Sequence, residues 1–211
     1  MLEHTAVFAF TTLFVVVDPI GLAPLFVTLT PGVRESERRV IAVRAVSIAA
    51  IVLLVFGFGG EPLLRALGIT LPAFRIAGGI LLLLLAIDMV MVRHTGLRAT
   101  TAGEEEESEG RTDISVFPLA VPLIAGPGAL TSTIMLIQGT HSDPMMLGLV
   151  AVVLIFVLLL ALVSLCLAGQ LMRLLGLTGV NVVTRIFGIL LAALAVQFIS
   201  DGVLAIWHSA T

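Results

Sequence analysis

The sequence predicts an all-α polytopic membrane protein, because it is too apolar for a soluble fold and its apolar runs are long. Of the 211 residues, 59% are hydrophobic and 12% are charged, whereas soluble domains carry about 25% charged residues. The mean hydropathy is +1.18. One run, from Met145 to Met172, contains no formal charge, and a helix of about 20 residues crosses the hydrocarbon of a bilayer. The lipid bilayer is therefore the expected surroundings of this chain.

The apolar runs predict six transmembrane helices. Strands of a membrane barrel need only about 9–11 residues and alternate in character, which these continuous runs do not. The predicted spans are residues 5–30, 40–60, 69–92, 115–139, 145–170 and 180–207. The gaps between most of them are short, so consecutive spans should be antiparallel neighbours.

A polar segment rich in glutamate divides the six spans into two groups of three. The predicted domains are a first repeat at residues 1–94, an acidic linker at 95–112 and a second repeat at 113–211. Glycine, serine, threonine and clustered charge are typical of a solvated linker. The linker therefore joins two membrane units.

The two halves resemble each other in sequence. A step of 108 positions carries Pro19 onto Pro127, and it also carries Arg65–Thr70 onto Arg173–Thr178. Matching prolines, arginines and glycines in order indicates an internal duplication. Because each copy has three spans, the second copy must enter the bilayer from the opposite side. The repeats are therefore predicted to be inverted.

Arginine placement predicts the orientation. Eight arginines follow the first, third and fifth spans, and only Arg65 follows the second span. Cytoplasmic loops carry the excess of positive charge in membrane proteins. Both termini and the loop around His141 are therefore expected outside, and the acidic linker in the cytoplasm.

Proline and glycine occur together near the middle of the first and fourth spans. The first group is Asp18-Pro19-Ile20-Gly21 and the second is Ala125-Gly126-Pro127-Gly128. Proline removes a backbone donor and clashes with the preceding turn, and glycine accepts unusual backbone geometry. Helices 1 and 4 should therefore be interrupted at mid-membrane. Two facing interruptions are an expected binding site for a polar ligand.

Asp18 has two interpretations. An aspartate directly before a proline is typical of a helix N-cap with proline at the first helical position. Alternatively, Asp18 meets a coupling cation, a proton or sodium, or the ammonium group of a substrate, because an ionisable group at mid-depth is costly unless paired.

Gly126 replaces Asp18 in the second group, so the two interruptions differ chemically. The N–H groups of Gly128 and Ala129, at the positive end of a helix dipole, could hold a carboxylate. The hydroxyls that follow would complete the site, and they belong to Thr131, Ser132 and Thr133. In the alternative interpretation, the glycines only bend the chain and the hydroxyls bond to carbonyls of their own helix.

Arg75 and Arg185 occupy equivalent places about one turn inside the third and sixth spans. Either they extend to the lipid headgroups, or each pairs with a carboxylate or a backbone carbonyl and moves during gating. The glycines at 78, 79 and 188 are expected to let the third and sixth spans pack closely.

Enzyme activity is not expected. The sequence has no His-Glu-x-x-His zinc motif, no phosphate-binding glycine loop and no Gly-x-Ser-x-Gly elbow. We therefore predict no catalytic residues, no cofactor and no metal, and no nucleic acid as partner. The oligomeric state is left open.

Two stretches of the sequence resemble the signatures of a known family. The stretches Val17–Phe26 and Val116–Ala129 are similar to those of the MarC family of inner-membrane proteins, which includes the SnatA neutral amino acid transporters. The resemblance implies six spans in two inverted repeats and a small neutral amino acid, such as glycine or alanine, bound between the interruptions. The site residues that it implies are Asp18, Pro19, Gly21, Gly126, Pro127, Gly128 and Thr131.

The predicted function is a secondary transporter of small neutral amino acids that works by alternating access and is coupled to an ion or proton gradient. Two alternatives are kept. One is a structural or regulatory membrane protein that does not transport, and the other is a channel-like pore for small solutes.

Overall fold

The structure is a computed structural model, and it describes residues 2–91, 113–140 and 143–210. These ranges are helical throughout, apart from short connections, and contain no strand. The acidic linker at 95–112 lies outside the described residues. So does His141, in the loop between the fourth and fifth spans.

Eight helices form the described chain. They are α1 (Leu2–Val17), α2 (Leu22–Leu29), α3 (Glu35–Ala66), α4 (Leu71–Met91), α5 (Ser115–Ile124), α6 (Pro127–Gln138), α7 (Pro144–Cys166) and α8 (Ala168–Ala210). Within α8, Gly176 has φ +64° and ψ 174°, so two helical segments meet there at an angle. The sixth predicted span, 180–207, lies in the second of these segments.

Several helices are long and apolar enough to cross a membrane. Among the described residues there are five such spans, and a sixth if the bent pair of α5 and α6 is one span. The first of the five, Leu2–Leu29, contains both α1 and α2, and α5 and α6 meet at an angle of 57°. The all-α membrane architecture is therefore confirmed, with five or six spans.

Helix α5 is wound more widely than an α-helix. The N–H of Leu119 donates to the carbonyl of Ile114 (3.4 Å), five residues earlier, and the N–H of Ala125 donates to Ala120 (2.8 Å). Phe117 and Val121 have extended backbones, as expected for residues that precede proline. The wide turns follow from this alternation of extended and helical residues.

Two glycines related by the step of 108 positions share a backbone conformation. Gly68, between α3 and α4, has φ +70°, and Gly176 has φ +64°. Glycine adopts this left-handed conformation at little steric cost. The described geometry of the two halves is thus alike at a point where the sequences also match.

Helices α4 and α8 pack backbone against backbone. A methyl group added at Gly79 would lie 2.9 Å from the carbonyl oxygen of Ala195, and one at Gly188 would lie 3.0 Å from that of Ala86. The predicted role of Gly79 and Gly188 is therefore confirmed. For Gly78 the prediction is wrong, because a methyl group there would instead meet Thr131 of α6, 1.9 Å from its Cγ2.

Outside the buried core the surface is strongly apolar. Leucine, valine, isoleucine and phenylalanine side chains are exposed along α3, α4, α7 and α8, and Leu174 reaches 82% exposure. Apolar patches of this extent are rare on soluble monomers. They suit contact with lipid chains.

An ion pair anchors the start of α5. The carboxylate of Asp113 pairs with Arg44 of α3 and accepts a hydrogen bond from the N–H of Ser115 at 3.2 Å. Hydrogen bonding from the Ser115 hydroxyl, with further contributions from its N–H and from Arg44, lowers the pKa of Asp113 below its ordinary value of 3.8 despite partial desolvation. The second half of the chain is thereby tied to the first where α5 begins.

Candidate functional site

The first junction, residues 18–21 between α1 and α2, is organised by Asp18. This residue is fully buried and has φ +49°, a left-handed conformation that is uncommon outside glycine. Its Oδ1 accepts a hydrogen bond from the N–H of Gly21 at 3.0 Å, and its carbonyl accepts one from Leu22 at 3.1 Å. These are the hydrogen bonds of an N-cap.

The start of α2 differs from the prediction. Pro19 was expected at the first helical position, but the regular helix begins at Leu22 and Gly21 is its N-cap. The reason is that Pro19, Ile20 and Gly21 form a separate turn, in which the N–H of Ala23 also bonds to the carbonyl of Ile20 (3.2 Å). Asp18 therefore holds the turn that leads into the helix.

A close backbone contact and a hydrogen bond from another helix hold the first junction in place. A methyl group at Gly21 would lie 2.0 Å from Oδ2 of Asp18, so only glycine lets the carboxylate lie against this backbone. The hydroxyl of Ser164, near the end of α7, donates to the carbonyl of Pro19. A helix from the second half thus supplies the hydrogen bond for a carbonyl in the first.

The second junction, Ala125 and Gly126 between α5 and α6, has no such side chain. Pro127 is the first residue of α6, and no side chain of the described chain caps this helix through Gly126. The carbonyl of Gly126 accepts the first helical hydrogen bond, from Leu130 at 2.9 Å. The N–H groups of the first turn, at Gly128 and Ala129, have no partner within their own helix. They carry the partial positive charge of the helix dipole.

Gly126 is held tightly against the preceding segment. A methyl group on it would lie 2.5 Å from the carbonyl oxygen of Pro122. Its backbone, with φ −76° and ψ 173°, is open to any residue, so packing rather than conformation requires glycine here. The second junction is thus fixed by backbone contact.

A small cavity adjoins the second junction. Its volume is about 10 Å³, room for about one water molecule. Its walls are Val16, Leu85, Pro122, Leu123, Ile124, Gly126, Pro127, Gly128 and Ala129. Val16 comes from α1, two residues before Asp18, and its Cγ1 would lie 3.4 Å from a methyl group at Gly128. The two junctions are therefore close neighbours, and the space beside the second is closed to anything larger than water.

Two buried hydroxyls near this cavity have no hydrogen-bond partner in the described structure. They belong to Thr12 of α1 and Ser132 of α6, and both residues are fully buried. A buried hydroxyl left unpaired costs about 1–3 kcal/mol. By contrast, Thr133 donates to the carbonyl of Ala129 in its own helix (2.7 Å). The interpretation that the hydroxyls bond to their own helix therefore applies to Thr133 and not to Ser132.

A second, larger cavity opens where α1 and α4 begin and α6 and α8 end. We call it the vestibule, and its volume is about 370 Å³. Its lining residues are His4, Thr5, Phe8, Arg75, Met135, Leu136, Gly139, Phe198 and Asp201. Arg75 and Asp201 place opposite charges on its walls, and Asp201 also accepts a hydrogen bond from Gln197 at 2.8 Å. A cavity of this size and polarity can admit a small polar molecule.

The predicted substrate-binding residues fall into three groups. Gly126, Pro127 and Gly128 line the small cavity. Asp18, Pro19 and Gly21 belong to the first junction, which follows Val16 in the sequence. Thr131 is buried and its methyl group packs against Gly78 of α4. The structure thus gathers three of the seven residues around one space.

The two arginines predicted for gating or pairing lie in different surroundings. Arg75 lines the vestibule together with Asp201, whereas Arg185 is exposed on α8. Within the described ranges, no three His, Cys, Asp or Glu side chains converge to hold a metal ion.

Sequence reasoning missed Thr12, Val16 and Ser164. Their roles depend on which residues of α1, α6 and α7 face each other, and that register is not visible in apolar sequence. The one available signal for Thr12 was the pair of threonines, Thr11 and Thr12, in an otherwise apolar helix.

Together, the helical spans, the apolar surface and the polar residues enclosed among the helices define a multi-pass integral membrane protein. A family model described as MarC family integral membrane protein matches residues 4–207. This chain belongs to the MarC family.

Similar proteins occur in bacteria and archaea. A UPF0056 membrane protein of Aquifex aeolicus is 39% identical, over 92% of this chain and 90% of its own. The UPF0056 membrane protein YhcE of Escherichia coli is 37% identical, over 94% of this chain and 91% of its own. The UPF0056 membrane protein MJ0972 of Methanocaldococcus jannaschii is 36% identical, over 96% and 88%. No solved structure matches this chain.

Proposed function

We propose that this protein is a secondary transporter of small neutral amino acids in the bacterial inner membrane. The observation that carries the proposal is the uncapped N-terminus of α6, whose first residues line a small cavity beside α1. Free N–H groups at a helix N-terminus bind anions, and every amino acid carries a carboxylate. These N–H groups therefore suit the carboxylate of such a substrate, although the cavity has room for only about one water molecule in this structure and would have to widen to admit it.

In this proposal the substrate carboxylate binds the N–H groups of Gly128 and Ala129. The ammonium group, or the proton or sodium ion that drives transport, is served by the buried carboxylate of Asp18. Val16 is shared by α1 and the cavity wall and brings the first junction close to the second. Because the cavity would have to widen to admit any amino acid, glycine or alanine would require the smallest rearrangement.

Alternating access would arise from inverted repeats whose first helices are interrupted at mid-membrane. The matching step from Pro19 to Pro127 and the shared left-handed glycines at 68 and 176 support the duplication. Three spans in each copy would invert the second copy in the bilayer, with both termini in the periplasm and the linker in the cytoplasm.

Uptake of labelled glycine and alanine into proteoliposomes tests the proposal directly. Gly128→Val should reduce uptake at least tenfold, because its side chain would meet Leu85, Leu82 and Val16 within 3.0–3.4 Å of its Cβ and fill the cavity. Asp18→Asn should abolish dependence on the proton or sodium gradient while its amide oxygen preserves the turn.

Gly148→Val is the matched control, since nothing lies within 4 Å of a methyl group at that helical position. Uptake by Gly148→Val should equal that of the parent protein. Equal uptake by Gly128→Val would remove the site. Passive flux that ignores any imposed gradient would indicate a channel, and absence of flux from folded parent protein would favour a structural or regulatory role.

A further inference from the structure

We propose that the contact between α1 and α6, the seam, is the passage from the vestibule to the small cavity, and that the Thr12 and Ser132 hydroxyls bind the substrate within it. This inference rests on the proposed function. It adds a route and two binding groups that the two junctions alone do not supply.

The register of α1 and α6 follows from the two cavities at the ends of the seam. Val16 and Gly128 line the small cavity, whereas Phe8 and Leu136 line the vestibule. Going back along α1 therefore corresponds to going forward along α6, and the two helices are antiparallel.

Thr12 and Ser132 occupy the middle of this seam. Thr12 lies four residues before Val16 and four after Phe8, and Ser132 lies four residues after Gly128 and four before Leu136. Four residues make about one helical turn and keep the same face. The two hydroxyls are therefore at one level, about one turn from each cavity.

The lack of a hydrogen bond within their own helix distinguishes these two hydroxyls from their neighbours in sequence. Thr11, beside Thr12, donates to the carbonyl of Val7 at 2.8 Å, and Thr133, beside Ser132, donates to Ala129. Such bonds to the same helix are the usual state of a helical hydroxyl in an apolar setting. Thr12 and Ser132 are buried without one, so they remain free to donate to a carboxylate or accept from an ammonium group.

The vestibule provides a matching entrance. Arg75 and Asp201 line the same space, so a molecule that carries both a carboxylate and an ammonium group meets a countercharge for each. A zwitterionic amino acid has this charge pattern, whereas a simple anion or cation would be repelled by one of the two residues. The entrance and the seam thus favour the same class of substrate.

Cysteine labelling tests the passage. Thr12→Cys and Ser132→Cys are introduced one at a time into Cys166→Ser protein, which then has no other cysteine. A membrane-impermeant methanethiosulfonate should label both at least tenfold faster than Leu13→Cys and Ile134→Cys, which are buried one position after Thr12 and two positions after Ser132. Labelling should occur from the side that also labels His4→Cys in the vestibule, and glycine should slow it.

Removal of the hydroxyls gives an independent measurement. Thr12→Val and Ser132→Ala should reduce glycine uptake at least tenfold, yet their melting temperatures should equal or exceed that of the parent, since neither hydroxyl has a bond to lose. Thr11→Val is the control, and its uptake should be unchanged because Thr11 is exposed and bonded to its own helix.

The outcomes separate this inference from the proposed function. If the parent protein transports glycine but Thr12→Cys and Ser132→Cys resist labelling while His4→Cys reacts, the passage is overturned and the transporter stands. The passage is also overturned if the two cysteines are labelled only from the side of the membrane that does not label His4→Cys. Full glycine uptake by both Thr12→Val and Ser132→Ala would overturn it as well. If both cysteines react but neither glycine, alanine nor any other amino acid protects them, the amino acid is overturned as occupant.

Discussion

The two junctions between helices differ in how their backbone groups are hydrogen-bonded. At the first, Asp18 supplies a carboxylate to the N–H of Gly21, and Ser164 supplies a hydroxyl to the carbonyl of Pro19. At the second, Gly126 stands at the position related to Asp18 by the step of 108, and no described side chain caps the helix through it. The N–H of Gly21 at the first junction thus has a side-chain acceptor, whereas the N-cap residue of α6 supplies none at the second.

The difference has a physical cause. A carboxylate at position 126 would take the helical N–H groups for itself, as an N-cap does, and would repel a substrate carboxylate. Glycine leaves them open and brings the chain against the Pro122 carbonyl. In the proposed function, this difference would let the second junction hold a carboxylate while the first does not. The following substitutions test the difference between the two junctions.

The largest effect is expected at the second junction. In Gly126→Ala the new methyl group would lie 2.5 Å from the carbonyl oxygen of Pro122, and a backbone atom cannot turn aside as a side chain can. The free energy of unfolding should fall by about 3 kcal/mol, the upper range for overpacking. Chemical denaturation in detergent micelles measures it. Gly148→Ala is the control with open space, and an equal loss there would contradict the packing explanation.

A smaller effect is expected when the first junction loses its cap. Asp18→Ala leaves the N–H of Gly21 without its acceptor and should lower the free energy of unfolding by about 2 kcal/mol, as for a strong N-cap. Asp18→Asn keeps an oxygen at the same place and should cost much less. Comparison of the two by denaturation separates the cap from the charge. Equal destabilisation by both would show that the turn requires the charge itself.

The smallest of the three effects concerns the hydrogen bond between the halves. Ser164→Ala removes the hydroxyl that donates to Pro19, in a partly buried setting, and should lower the free energy of unfolding by about 1 kcal/mol. Ser47→Ala, at an exposed position of α3, should change little in the same assay. No difference between the two would mean that the Pro19 carbonyl does not need this partner.

The positions of the helices were predictable from the sequence because the length of an apolar run largely decides a membrane span. The interruption of spans 1 and 4 at mid-membrane stays a prediction, but helix boundaries beside Pro19 and Pro127 were predictable from these prolines and their glycines. The start of α2 was not, because Asp18 stabilises a separate turn ahead of Leu22. Helix propensity, which depends on residue type, does not predict that extra turn.

The hydroxyls of the proposed binding site were only partly predictable. Three serine and threonine residues follow the second junction in sequence, yet only Ser132 is left unpartnered, while Thr133 bonds to Ala129 and Thr131 packs on Gly78. Which of them stays free depends on the rotation of α6 against α1 and α4. Thr12 and Ser164 were missed for the same reason, since rotation is decided by tertiary packing.

The glycine contacts between α4 and α8 join the two halves of the molecule closely. These helices come from different halves, and a methyl group at Gly202 would lie 2.9 Å from the carbonyl oxygen of Pro72, as close as those at Gly79 and Gly188. Backbones in such contact can slide or separate only at the cost of the whole interface. We therefore expect α4 and α8 to stay together. In the proposed transport cycle, α1 and α6 would then turn against this pair, and the two halves would not move as separate blocks.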